Sequence, residues 1–184
     1  MLDHQPATGL ETNQHEPARS LDPRTGLAAG VRWHCAWTAQ QRETIAARAI
    51  KAAGFKSYLP LHLERYANRT SAIIPLFPRY CFVAFDADAD AWGVIPNLRG
   101  VCGLIRHGYD KPTSLPAYAI TELLARTSTR GVVDDPGETA WKPPGAGYSP
   151  VWQSMASLDA GSRCRLLYRL FGASVTKLAL EDAA

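Results

Sequence analysis

The stretch Pro75-Leu76-Phe77-Pro78-Arg79-Tyr80-Cys81-Phe82-Val83-Ala84-Phe85 constrains the fold of this 184-residue chain more than any other. Proline fixes φ and brings no N–H, so Pro75 and Pro78 divide the region into two short extended pieces. In the second piece alternation places Tyr80 and Phe82 on one face, and Cys81, Val83 and Phe85 on the other. Both faces are apolar. Such a strand must be covered twice, so one face calls for helices, while the other packs on something else or is itself a site.

The neighbouring segments supply partners for that strand. Val31 to Trp37 puts Trp33, Cys35 and Trp37 on a common face, which predicts a second strand. Thr38 precedes Gln41 at capping-box spacing, and Ile45, Ala49, Ile50 and Ala53 follow at helical spacing until Gly54 stops the run. Phe55 to Leu63, interrupted by Pro60, reads as a strand that leaves the sheet at its end, and Asn68-Arg69-Thr70-Ser71 as a polar hairpin tip. Asp86 or Asp88 is placed to cap a short helix carrying Trp92 and Ile95, and Val101 to Arg106 predicts a further strand. Pro116 is placed to open a helix with Ile120, Leu123 and Leu124 inward and Gly131 as its stop. The expected organisation is a disordered leader over 1–30, a folded domain over 31–131, a linker over 132–150 and a small β module over 151–184. In that last module Arg163–Leu170 and Ser174–Leu180 are the expected strands, separated by a turn at Gly172.

Composition narrows the function classes. Hydrophobic residues make up 46% and charged residues 20%, enough apolar material for a core, and a formal charge of +3 is too weak a bias to name a nucleic-acid partner. The four cysteines, Cys35, Cys81, Cys102 and Cys164, form no C-x-x-C pair, so buried free thiols in a reducing cytosol are expected. Met1 to Ala7 holds Asp3 and Pro6 and no apolar stretch, and no apolar run approaches the ~20 residues of a membrane helix, so neither a secretory signal nor a membrane contact is expected and the location read is the cytoplasm. The five histidines show no metal-ligand spacing, and the phosphate-loop, dinucleotide, zinc-protease and nucleophile-elbow motifs are missing. Cys102 with His107 makes a poor nucleophile pair, and Asp86, Asp88 and Asp90 lack the Gly and terminal Glu that shape a calcium loop. The reading is a protein without catalytic residues, metal or cofactor.

One constellation remains. A Trp-bearing strand, a helix, a strand ending in Tyr58-Leu59-Pro60, then P-L-F-P-R-Y-C-F-V, a Trp-bearing short helix and Arg99-Gly100-Val101 together resemble the N-terminal domain of the NusG family of transcription elongation factors, over roughly residues 33 to 130. The form of the motif is most similar to specialised paralogues of the RfaH type, which suppress pausing and termination across particular operons. The resemblance implies an α+β fold, an antiparallel sheet flanked by helices, followed by a linker and a small KOW-type β-barrel. The barrel is matched through Arg165 to Gly172 and Val175 to Leu180, while its usual opening strand is not found.

It also implies partners. An exposed apolar patch would grip the clamp helices of the largest RNA polymerase subunit through Phe77, Pro78, Tyr80, Phe82, Leu104 and Tyr58. Arg42, Arg79, Arg99 and Arg106 would lie toward upstream or non-template DNA. A ribosomal protein or Rho would be the partner of the terminal barrel. Where the RfaH type carries a Thr-rich run this chain has Ala91-Trp92-Gly93-Val94. Aromatic anchors suit such a patch, since each removes a large apolar area from water at little rotamer cost. Three functions follow: a processivity and antitermination factor acting on the polymerase clamp; a housekeeping factor coupling polymerase to Rho or the ribosome; and a stand-alone RNA-binding sheet stacking bases on Tyr80 and Phe82. The first requires those rings to be left uncovered by their own fold.

Overall fold

The computed structural model describes residues 21, 26–66, 70–106, 111–133 and 158–170. In chain order the elements are β1 (Arg32–Thr38), α1 (Glu43–Ala52), β2 (Lys56–Tyr58), β3 (Leu61–Arg65), β4 (Ser71–Pro75), β5 (Tyr80–Phe85), a 3-10 helix (Trp92–Asn97), β6 (Val101–Leu104), α2 (Ala117–Ala125) and α3 (Ala160–Leu170). A four-stranded antiparallel sheet runs β2-β5-β1-β6, and β3 and β4 form a separate hairpin. The break between β2 and β3 falls at Leu59-Pro60, where the missing proline N–H ends the ladder. The tip of the hairpin, 67–69, lies outside the described residues.

β5 is a central strand, buried along its whole length, and its alternation divides the core in two. Cys81, Val83 and Phe85 join Ala36, Ile50 and Ile95 on the face covered by α1 and the 3-10 helix. Tyr80, Phe82 and Ala84 join Trp33, Cys35, Tyr58, Leu76 and Phe77 on the other, which α2 covers with Ala119, Ile120 and Leu123 and α3 with Leu167.

The C-terminal end of α1 closes as a Schellman motif. The Gly54 N–H reaches the Lys51 carbonyl at 3.0 Å and the Phe55 N–H the Ile50 carbonyl at 3.2 Å, with Gly54 at φ +91°. The N-terminal end differs from the capping-box expectation. Thr38 stays in β1, its N–H donating to the Arg79 carbonyl at 2.8 Å, and Gln41 takes φ 57°, so the helix begins at Glu43 without a side-chain cap. Gly100 fits a close approach: at φ +85°, a Cβ there would stand 3.1 Å from the Ala46 nitrogen and 3.2 Å from the Arg42 carbonyl.

Other expectations are corrected as well. Leu27, read as leader, is buried in the core, an isolated apolar residue with no periodic signal around it. Asp86 and Asp90 bond backbone N–H groups within 86–90 and leave the 3-10 helix uncapped. α2 ends at Ala125, and Gly131 instead turns the chain back onto β3, where the Gly131 carbonyl accepts from Leu61 at 3.2 Å and the Val133 N–H donates to the Leu61 carbonyl at 2.8 Å.

The largest correction is at the C-terminal end. Arg163 to Leu170, expected as a strand of a KOW-type barrel, is the helix α3. Asp159 caps it, its carboxylate accepting the Ser162 N–H at 2.9 Å and the Ser162 hydroxyl at 2.6 Å. Those bonds hold its carboxyl below the usual range. Arg163, Cys164, Leu167 and Tyr168 fall at helical spacing on the side turned to the sheet. The second expected strand, Ser174–Leu180, lies outside the described residues, as does most of the expected linker.

Candidate functional site

The aromatic face is assembled by register. β1 pairs β5 antiparallel with Cys35 opposite Phe82 and Trp37 opposite Tyr80, while Tyr58 of β2 stands opposite Phe82 from the other side. Cross-strand neighbours on one face touch, so six rings converge. The Tyr58 ring stacks on Phe82 with centroids 6.0 Å apart, Phe77 meets Phe82 edge-on at 5.8 Å, and Trp33 meets Tyr58 edge-on at 6.3 Å. The Tyr58 hydroxyl pairs with Thr127 Oγ1 at 2.6 Å, which ties the face to the end of α2, and burial pushes that phenol up to about 12.

Phe77 and Phe82 are each 1% exposed and Tyr80 6%, so the expectation of an uncovered patch is not met: the rings are closed off within the chain itself. Part of the cover is α3. The Tyr168 ring meets Tyr80 edge-on at 5.7 Å and the two hydroxyls hydrogen-bond to each other. Leu167 is buried in the same cluster. The Cys164 thiol points at the Pro78 carbonyl at 3.9 Å, and Arg163 reaches Glu64 of β3 at 3.7 Å. Burial pushes the Cys164 thiol up to about 11, and raises both tyrosine hydroxyls. Arg163 is 2% exposed with its Nε unpaired, a costly residue to bury on one long ion pair.

The turn before Tyr80 is held from α1. Arg79 takes φ 69°, the left-handed region in which an arginine is strained. Its N–H donates to Glu43 Oε1 at 2.8 Å and its carbonyl accepts from Thr38. Its guanidinium lies over Trp37, 4.9 Å from the ring centroid.

The structure brings together Tyr58, Phe77, Pro78, Tyr80 and Phe82. It does not bring Leu104 to them. A bulge in the β1–β6 pairing sets Leu104 opposite Ala36, on the α1 side of the sheet, and the next residue, Ile105, packs against the aromatic face instead. The arginines do not form one stripe. Arg42 and Arg99 flank the Gly100 contact and are exposed, Arg79 sits on the aromatic face, and Arg106 lies over Trp92, 5.3 Å from its ring centroid, on the opposite face. Sequence reading missed Trp37, although it shares a face with Trp33 and Cys35; only the register shows that it stands opposite Tyr80. It also missed Glu43, a buried carboxylate with no signal at the sequence level.

The family model for NusG, transcription termination factor, matches residues 31–124, just over half of the chain. The chain belongs to the NusG family. Factors of the NusG family act in transcription termination or elongation and bind RNA polymerase, and the match spans β1 through most of α2, including every ring of the face described above. No curated protein matches the chain. Among the described residues no helix is long and apolar enough to cross a membrane.

Proposed function

We propose that this chain is a specialised, RfaH-like member of the NusG family, a non-enzymatic factor. It binds the clamp helices of the largest RNA polymerase subunit through Tyr58, Phe77, Pro78, Tyr80, Phe82 and Trp37, and promotes processive transcription by suppressing pausing and termination. A ligand that prefers the closed clamp is sufficient to depopulate paused, open states. The observation that carries the reading is the occupant of the aromatic face: an amphipathic helix of the chain's own, α3, lies where a foreign helix would dock. Removing that helix takes the Tyr168 ring off Tyr80 and Leu167 out of the cluster, so in this reading α3 acts as a mask in the free protein. Arg42 and Arg99, exposed side by side, are the residues offered to DNA, and their phosphate contacts would weaken with salt.

The RNA-binding alternative meets the same cover on Tyr80 and Phe82, and it differs in predicting salt-sensitive binding to naked single strands without polymerase. The housekeeping alternative rests on a terminal barrel, and residues 160–170 are helical. Co-purification with core RNA polymerase tests the proposal, using wild type, Leu167→Arg to expel α3 and Tyr80→Ala to remove an anchor, with circular dichroism to confirm folding. Capture enhanced by Leu167→Arg and lost in a double variant with Tyr80→Ala is expected. Failure of wild type and Leu167→Arg alike to bind would overturn the reading.

A further inference from the structure

Arg79 is an expensive residue at its position. A left-handed φ of 69° suits Gly or Asn, yet this site carries a long cation, held by the Glu43 and Thr38 hydrogen bonds. Its side chain is left incomplete. The guanidinium lies on the Trp37 ring, Nε is buried without a hydrogen-bond partner, and among the described residues no carboxylate lies within ion-pair distance of it. The helix that covers this face supplies no remedy. α3 carries Arg163, Arg165 and Arg169 and no acidic residue. At the other end of the same helix Glu64 receives Arg163. The face therefore presents an acid near the start of α3 and an unanswered cation near Tyr168.

We infer that the face is built for a helix that sets a carboxylate against Arg79, with a basic residue against Glu64, and that Arg79 is the specificity residue that lets such a helix displace α3. This rests on the reading of the face as the polymerase-docking site and adds the charge pattern of the partner. The two occupants compete for the same rings, so their difference decides the exchange. Apolar contacts available to both shift nothing, whereas a buried donor satisfied by only one of them does. A carboxylate also draws a guanidinium with bidentate geometry that lysine cannot copy.

Two experiments on the full chain separate this inference from the reading beneath it. In the first, binding to core RNA polymerase is titrated over a salt series for wild type, Arg79→Lys, Arg79→Asn and Tyr80→Ala; asparagine tolerates the left-handed backbone, so the turn survives. Loss of about 10-fold or more in affinity with Arg79→Asn, a flatter salt dependence and partial retention by Arg79→Lys are expected. Tyr80→Ala losing binding while Arg79→Asn matches wild type would sink the inference and leave the docking reading standing. In the second, a synthetic amphipathic helix bearing one glutamate, or glutamine in its place, is added and exposure of Cys164 is followed by alkylation. The glutamate peptide should accelerate labelling more than its glutamine twin in wild type and equally in Arg79→Asn. Equal acceleration in wild type overturns the inference even if the polymerase arm shows no binding at all.

Discussion

The two faces of the central sheet are made from alternate residues of the same strands and are closed by different means. Behind Cys81, Val83 and Phe85 the cover is α1, which follows β1 directly in the chain, together with the 3-10 helix, and the buried set of Ala36, Ile50, Cys81, Val83, Phe85 and Ile95 contains no charged group. In front of Tyr80 and Phe82 part of the cover is α3, which comes from beyond residues 134–157 and brings a buried guanidinium, a tyrosine hydroxyl pair and a thiol. A cover close in sequence, which meets the sheet through apolar side chains and turns its buried Glu43 to the Arg79 backbone, belongs to the foundation of the domain. A distant cover fastened by polar handles is one that a competitor can replace, because what fastens it is also what another helix can bid for.

Substitutions on either face put that contrast to the test. Phe85→Ala, behind the sheet, should cost about 3–5 kcal/mol of global stability, read from the urea midpoint; a midpoint close to wild type would end the distinction. Leu167→Ala should cost about 2–4 kcal/mol, but to the docking of α3, so amide exchange in α3 accelerates while the sheet melts nearly where it did. If the sheet midpoint falls as far as with Phe85→Ala, both faces form one cooperative unit.

Alkaline pH should act on the front face. The Cys164 thiol is pushed from its ordinary 9.0 up to about 11 in the docked state. A group raised on docking favours the docked state fully below its undocked value. α3 is therefore expected to loosen as pH climbs from 9 toward 11, visible in the Leu167 methyl resonances. Unchanged resonances across that window would remove Cys164 from the contact. Tyr168→Phe, which deletes one hydroxyl of the pair, should weaken docking by about 1 kcal/mol. Glu64→Gln should have the smallest effect, about 0.5–1 kcal/mol and fading in salt, since Glu64 is 36% exposed at its side chain. A larger, salt-insensitive loss would mean that Arg163 is fastened far more tightly than its distance suggests.

Much of the sheet was legible in the sequence because β5 states its own burial: an alternating strand apolar on both sides fits only the middle of a sheet. Alternation also put Tyr80 and Phe82 on one side, while Phe77 and Tyr58 joined them only through the resemblance, and all four meet in the structure. Leu104 came to the patch through the resemblance alone, and the bulge that turns it to the α1 side leaves no pattern in four residues. The left-handed turn at Arg79 was hidden because its support comes from Glu43, in another element. α3 was read as a strand because Cys164, Leu166, Tyr168 and Leu170 alternate, while Cys164, Leu167 and Tyr168 stand at helical spacing in the same run. The Asp159 cap favoured the helix, and the sheet that α3 lies against decides between two periods that the residues themselves leave balanced.

The segment leading away from the domain starts at Val133, which is hydrogen-bonded to Leu61 in β3, the strand that also holds Glu64. On the proposed function, mask and docking surface are thus joined by a covalent thread whose near end is pinned beside the surface it returns to. If the proposed function holds, every molecule carries its own inhibitor at a fixed ratio of one to one, whatever its abundance in the cell, and no second protein has to be made to silence it once its partner departs.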